Sequence, residues 1–205
     1  MQNIDDFQKL QKEEKAARIY FNNNDPVCIR FDGKNITKDH KHYPLTTING
    51  FTHQAFLSAQ NVLGAQCGII YAGLDEVSVI FTDPAMFWCQ FDDRNKDYAM
   101  GLLLQTFVKS FYKYYPEVYF GTSMFTVKDP LFYLHTRQAL NSSNSIVYIA
   151  KDFLSIDKYH DVPTDDILKN LNRYAPEAVA WMMENPWFQD GYCKVVKNDR
   201  PAFIF

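Results

Sequence analysis

The stretch CGIIYAGLDEVSVIF, residues 67–81, decides the fold of this chain. It contains two short apolar runs, Cys67 to Tyr71 and Val77 to Phe81, joined by a tight connection at Ala72 to Glu76. Runs rich in β-branched residues favour strands, and a short connection between two of them favours a hairpin. The stretch therefore predicts a β-hairpin whose turn carries two neighbouring carboxylates, Asp75 and Glu76.

Segments on both sides of this hairpin complete an alternation of strands and helices. Before it, apolar spacing predicts an amphipathic helix over 4–20, a strand over 27–31 that ends at Asp32-Gly33, and a helix over 47–63. After it, helical spacing over 98–115 is stopped by Pro116, and a strand is predicted over 118–127. This order of elements is the split βαβ arrangement of a ferredoxin-like α+β sheet, a fold that by itself decides no function.

Composition excludes several classes of protein. The 205 residues are 47% apolar and 16% aromatic, which is enough to bury a core and argues against a disordered chain. No apolar run is long enough for a bilayer, so we expect no membrane association. The four cysteines are widely spaced, which indicates free thiols in a reducing cytoplasm. A net charge of −3 argues against a generally basic nucleic-acid coat, so any RNA contact must be local.

The carboxylates at two strand ends point to metal chemistry. In a ferredoxin-like sheet the end of the first strand lies beside the central hairpin turn, so Asp32 and Asp75 converge. Magnesium prefers oxygen ligands and keeps several waters, so two aspartates and a backbone carbonyl such as that of Gly33 suffice. Two such ions about 4 Å apart activate an attacking oxygen and stabilise a departing pyrophosphate. An ordinary turn explains either aspartate taken alone, and the prediction rests on both together.

Three separated blocks are RFDGK at residues 30–34, GLDE at residues 73–76, and Arg137-Gln138-Ala139 with Asn144-Ser145-Ile146 on a later helix. Together these blocks resemble the tRNA-His guanylyltransferase family, most closely its bacterial and archaeal Thg1-like proteins. The likeness covers about residues 26–155 and implies a polymerase palm, βαββαβ in order. We therefore expect a palm domain with an N-terminal helix over 1–130, and a helical extension with a short C-terminal strand over 131–205.

The resemblance also implies an activity. Proteins of that family add nucleotides to the 5′ end of tRNA in the 3′-to-5′ direction, using GTP or ATP, and this chain is expected to do the same. A 5′-monophosphorylated tRNA is first activated, and the 3′-hydroxyl of an incoming nucleotide then attacks the activated end. By the same resemblance Asp32, Asp75 and the Gly33 carbonyl hold two Mg²⁺ ions, Glu76 supports the hairpin site, and the chain forms a homo-oligomer, a tetramer.

Further residues carried over from the family are expected to contact nucleotide and RNA. The backbone amides of Lys34, Asn35 and Ile36 would cradle triphosphate oxygens, because successive exposed amides form an anion-binding concavity. Three residues of the later helix are candidates for RNA contacts, namely Arg137, Gln138 and Asn144. A solvent-facing helix with a capping asparagine explains the same three residues without RNA.

The chain departs from the family pattern in five places, at Thr37, Tyr43, Leu74, Ser123 and Ser142. These departures affect the phosphate grip and the handling of RNA, and they leave the predicted metal ligands intact. Two alternatives therefore remain open. One is a nucleotide cyclase or cyclic-oligonucleotide synthase, whose palm carries a similar Asp-Glu hairpin. The other is a non-catalytic nucleotide-binding palm, although two carboxylates that face each other argue against an idle site.

Overall fold

The computed structural model describes residues 4–19, 22–34, 43–64, 67–91, 95–154 and 162–195, with the backbone alone at 4–7 and 17–19. Within this part of the chain one antiparallel sheet has the order β4-β1-β3-β2-β5. Its strands are β1 (Val27–Lys34), β2 (Ile69–Gly73), β3 (Glu76–Phe81), β4 (Tyr119–Thr126) and β5 (Tyr192–Val195). The order of the first four strands is that of a ferredoxin-like sheet, which confirms the predicted palm fold.

The helices lie on both faces of this sheet. They are α1 (Ile4–Ile19), α2 (Leu45–Leu63), α3 (Pro84–Trp88), α4 (Lys96–Phe111), α5 (Pro130–Leu154), α6 (Thr164–Tyr174), α7 (Pro176–Glu184) and α8 (Pro186–Asp190). The sequence did not predict α3, a single short turn. Its N-terminus is held by Asp83, whose carboxylate accepts hydrogen bonds from the backbone of Ala85 and Met86.

Alternation along β1 separates an apolar face from a polar one. Val27, Ile29 and Phe31 are fully buried beneath α2 and α4, and Phe31 stacks on Phe107 at a ring distance of 4.3 Å. Because successive side chains of a strand point to opposite faces, the intervening residues face α1 and α5. Arg30 is one of these residues, and Asp32 shares its face.

The C-terminal segment returns to the palm sheet. β5 pairs antiparallel with β2, with Ile69 opposite Val195. The short helix before β5, α8, is held by side chains of α5. Asn141 Nδ2 donates to the carbonyls of Phe188 at 3.2 Å and Gln189 at 2.6 Å, and Ser145 Oγ donates to the Phe188 carbonyl at 2.7 Å. The predicted short C-terminal strand is therefore present, and it belongs to the same sheet as the palm strands.

Two expectations from composition concern membranes and thiols. None of the helices in the described ranges is long and apolar enough to cross a bilayer. All four cysteines lie in described segments and are free thiols, as expected. Burial raises the pKa of Cys67 to about 12 and that of Cys28 well above its usual range, so both stay protonated at neutral pH.

Candidate active site

The strand register brings the two predicted metal ligands onto adjoining stretches of backbone. Asp32 lies opposite Glu76 in the β1–β3 ladder. One residue further on, the Gly33 backbone N–H donates to the Asp75 carbonyl at 2.7 Å. Asp32 and Asp75 thus lie on adjoining segments at one end of the sheet, as the sequence predicted. Their role as metal ligands remains a prediction.

The hairpin turn that carries Asp75 is tight. Only Leu74 and Asp75 separate β2 from β3, and Leu74 has a φ of +47°. Two-residue hairpins favour a positive φ at this place, where glycine or asparagine is common and leucine is rare. The Leu74 carbonyl accepts a 2.5 Å hydrogen bond from Thr52 Oγ1 of α2. The turn is therefore fixed from two sides, through the carbonyls of both of its residues.

Lys34 lies beside the first aspartate. Its Nζ is 2.6 Å from Asp32 Oδ2, and both side chains are partly exposed. Gly121 is opposite Asp32 on β4, and a Cβ atom there would lie 2.7 Å from Lys34 Cε. The missing side chain of Gly121 leaves the space that Lys34 uses. Asn35 and Ile36, the other predicted triphosphate contacts, lie outside the described residues, as does Thr37.

A buried charge cluster, formed by Glu14, Arg30, Glu76 and Arg137, lies behind this end of the sheet. Arg30 Nη1 is 2.8 Å from Glu14 Oε2, Arg137 also pairs with Glu14, and Arg137 Nη1 is 3.4 Å from Glu76 Oε2. Glu14 is only 6% exposed. The two carboxylates and two guanidiniums have a formal net charge of zero. Their ion pairs connect α1 and α5 to β1 and β3.

Glu76 has an altered acidity in this setting. Burial is the largest cause and raises its pKa to about 8. The Arg30 guanidinium opposes the shift, whereas the negative charges of Asp75, Glu14 and Asp32 add to it. For Arg30, burial lowers the pKa but the carboxylates of Glu14 and Glu76 outweigh it, so the pKa is raised. The carboxylates of Asp75 and Asp32 thus add negative charge beside Glu76 at the hairpin end of the cluster.

This arrangement suits a hard divalent cation. The predicted donors, the Asp32 and Asp75 carboxylates and the Gly33 carbonyl, are all oxygen atoms, which magnesium prefers. A cation bound beside Asp32 and Asp75 would offset the negative charges that add to the burial effect on Glu76. In the described ranges no group of three or more histidine, cysteine, aspartate or glutamate side chains has metal-binding geometry. Two carboxylates and one carbonyl would leave the rest of a magnesium coordination sphere to water and substrate, which is how proteins commonly hold this ion.

The three residues predicted to contact RNA lie in different environments on α5. Asn144 is exposed and Gln138 is half-buried. Arg137 is only 8% exposed, pairs with Glu14 and Glu76, and lies over the Tyr133 ring at 5.5 Å. A guanidinium held internally in this way is turned away from a phosphate backbone. We therefore propose an internal role for Arg137 in place of the predicted RNA contact, while Gln138 and Asn144 remain candidates.

Sequence reasoning missed three residues of this region: Glu14, Arg30 and Thr52. A signal existed for two of them. Glu14 falls four residues after Leu10 on the apolar side of α1, where a charge is unusual. Arg30 precedes Asp32 by two residues, so strand alternation puts both on one face. Nothing in the sequence marked Thr52, because its contact with Leu74 depends on how α2 packs on the hairpin.

The strand order and the helices packed on the sheet define the fold as a palm. Solved structures share this fold. A bacterial tRNA(His) guanylyltransferase (Thg1)-like protein in complex with ATP superposes with a TM-score of 0.61 at 19% identity, over 92% of this chain and 84% of that chain. A bacterial protein of the same description in complex with GTP superposes with a TM-score of 0.60 at 18% identity, over 92% of this chain and 83% of that chain.

A eukaryotic structure agrees with the bacterial ones. The tRNA(His) guanylyltransferase of Saccharomyces cerevisiae superposes with a TM-score of 0.54 at 13% identity, over 84% of this chain and 86% of that chain. No protein-family model and no curated protein matches the sequence. This chain therefore has the fold of the tRNA(His) guanylyltransferases.

Proposed function

We propose that this chain is a metal-dependent nucleotidyltransferase that adds nucleotides to the 5′ end of tRNA or another RNA, as a 3′-to-5′ polymerase. One observation carries the proposal: Asp32 and Asp75 lie on adjoining segments, joined by the 2.7 Å bond from the Gly33 amide to the Asp75 carbonyl. Structures of the same fold are named for guanylyl transfer to tRNA(His) and were obtained with ATP and with GTP. The carboxylates and the fold support the same chemistry.

In this proposal each residue near the hairpin has a distinct task. Asp32, Asp75 and the Gly33 carbonyl hold two magnesium ions, which would activate the attacking hydroxyl and neutralise the departing pyrophosphate. Lys34 exchanges its contact with Asp32 for a triphosphate oxygen when the nucleotide binds, because both are anionic acceptors. The backbone amides of Lys34, Asn35 and Ile36 hold the remaining phosphate oxygens.

The RNA binds next to this site, with Gln138 and Asn144 of α5 as its proposed contacts. The net charge of −3 gives the chain little general attraction for RNA. We therefore also propose a cytoplasmic homo-oligomer, a tetramer, in which basic strips of several subunits combine into one RNA groove. The glutamate of the hairpin, Glu76, supports the metal ligands through the charge cluster.

One assay tests the reaction. The protein is incubated with Mg²⁺, labelled GTP or ATP and a tRNA shortened at its 5′ end, and RNA products are separated from small products. Label should enter the RNA, and Asp32→Asn or Asp75→Asn should abolish this while leaving the protein folded. Asp165→Asn, which changes an exposed aspartate on α6, is the matched control and should retain activity.

The other outcomes of this assay identify the alternatives. Label that appears only in cyclic or other small nucleotides would replace RNA addition by the cyclase reaction. Triphosphate binding without any labelled product would indicate a non-catalytic palm. Near wild-type rates for either aspartate variant in magnesium would refute the two-metal assignment itself.

A further inference from the structure

The turn between β2 and β3 depends on a contact from outside the sheet. Leu74 is the one non-glycine residue with a positive φ in the described part of the chain. A β-carbon makes this backbone conformation unfavourable, so it persists where surrounding contacts impose it. Leu74 itself has an apolar side chain, which is buried in the core shared with α2. The polar contact at its carbonyl comes from Thr52.

The geometry at Thr52 shows where its single proton goes. Thr52 is 4% exposed, and its Oγ1 is 2.9 Å from the Ile48 carbonyl one helical turn back and 2.5 Å from the Leu74 carbonyl. A hydroxyl has one hydrogen to donate, so it serves the shorter contact. The Ile48 carbonyl lies inside α2, where Thr52 itself supplies the backbone N–H of the helical ladder. Leu74 lies outside the β2–β3 ladder, which ends at the Gly73–Glu76 pair, so we assign the hydroxyl proton to its carbonyl.

We propose that Thr52 is a positioning residue whose hydroxyl fixes the Leu74 carbonyl and thereby holds Asp75 beside Asp32. The neighbouring carbonyl, that of Asp75, is fixed by the Gly33 amide of β1. Two successive peptide groups are thus held from two directions, by α2 and by β1. The β-branched side chain of threonine has few rotamers, so the anchor on α2 is stiff.

The catalytic consequence of this inference rests on the proposed function, whereas the anchoring of the hairpin does not. Three variants separate the hydroxyl from the shape of the side chain. Thr52→Val removes the hydroxyl and keeps the branched shape, and Thr52→Ser keeps the hydroxyl. Thr106→Val is the matched control, because Thr106 Oγ1 makes the same kind of helical contact, 2.8 Å to the Leu102 carbonyl, on α4.

Hydrogen exchange gives a readout that is independent of activity. The Gly33 amide, whose acceptor is the Asp75 carbonyl, should exchange about tenfold faster or more in Thr52→Val, which corresponds to one lost hydrogen bond to a buried carbonyl. It should be unchanged in Thr52→Ser and in Thr106→Val. Thr52→Val should melt a few degrees lower than Thr106→Val, because it leaves the buried Leu74 carbonyl without this donor, whereas the Leu102 carbonyl stays in the helical ladder of α4. If Thr52→Val does not fold, Thr52→Ala removes the same hydroxyl without a branched side chain.

Metal binding and turnover complete the test. In Thr52→Val the Mg²⁺ concentration for half-maximal rate should rise and kcat should fall about tenfold, with the KM for triphosphate nearly unchanged, and Thr52→Ser should restore both. Unchanged Gly33 exchange and unchanged Mg²⁺ dependence in Thr52→Val would overturn the proposal. If the wild-type protein transfers no nucleotide, the proposed function fails, while the exchange measurement still decides whether Thr52 holds the hairpin.

Discussion

Replacing Arg137 by methionine distinguishes an internal role from a contact with RNA. Removing one partner of a buried ion pair costs about 3–5 kcal/mol, because the remaining charge is left without compensation. Here Glu14 is buried, but Glu76 is 22% exposed and, with a pKa of about 8, binds a proton readily. The lower limit of the range, about 3 kcal/mol, is therefore expected. For a chain of this size that lowers the melting temperature by about 6–12 °C.

Thermal unfolding of the metal-free protein at pH 7 measures this loss. Arg173→Met is the control, because Arg173 is exposed and lies over the Tyr174 ring at 5.1 Å, so its loss should change stability by about 0.5 kcal/mol or less. RNA binding is measured in parallel over a range of salt concentrations. A melting temperature within about 2 °C of wild type, together with a shallower salt dependence, would refute the internal role and return Arg137 to the RNA surface.

Three other variants test neighbouring features. Gly121→Ala should fold normally but displace Lys34, since the new Cβ lies 2.7 Å from Lys34 Cε, and kinetics should show a several-fold higher KM for triphosphate with kcat little changed. In the presence of a chelator, the free energy of unfolding of the wild-type protein should fall as the pH rises from about 4.5 to about 8, because Glu76 keeps a proton in the folded protein that it has lost in the unfolded chain. Denaturation measured at several pH values should show a flatter dependence for Glu76→Gln. Asn144→Ala should lower RNA addition without changing Mg²⁺ affinity in a calorimetric titration, and equal loss of both would place Asn144 at the metal.

Local sequence patterns were sufficient to predict the strands and helices of the palm. The strand predicted over 118–127 is β4 at Tyr119–Thr126, and the helix predicted over 47–63 is α2 at Leu45–Leu63. Apolar spacing and turn residues act over a few positions, so a single sequence shows them. Boundaries moved most at the second palm helix, predicted over 98–115 and found at Lys96–Phe111. Capping by Asn95 starts this helix earlier, and a turn at residues 112–114 ends it earlier.

The site was only partly visible in the sequence for a physical reason. Asp32 and Asp75 follow from strand ends, which the topology brings together. The burial of Arg137 depends on α1 and α5 meeting over the sheet, and its partner Glu14 is far away in the chain. Such a pairing leaves no short-range pattern. The family resemblance made Arg137 a candidate RNA contact, whereas a guanidinium on a helix that packs in the core indicates a buried partner as readily.

The pairing of β5 with β2 sets an order of events during synthesis. Until residues 192–195 leave the ribosome, the outer edge of β2, one arm of the hairpin that carries Asp75, has no β5 beside it. An open strand edge is a template for pairing with other chains, so nascent copies on neighbouring ribosomes are exposed to mispairing until β5 has been synthesised. The outer edge of β2 is therefore covered only after residues 192–195 have been synthesised, and an mRNA truncated before this strand would yield a palm with an open edge.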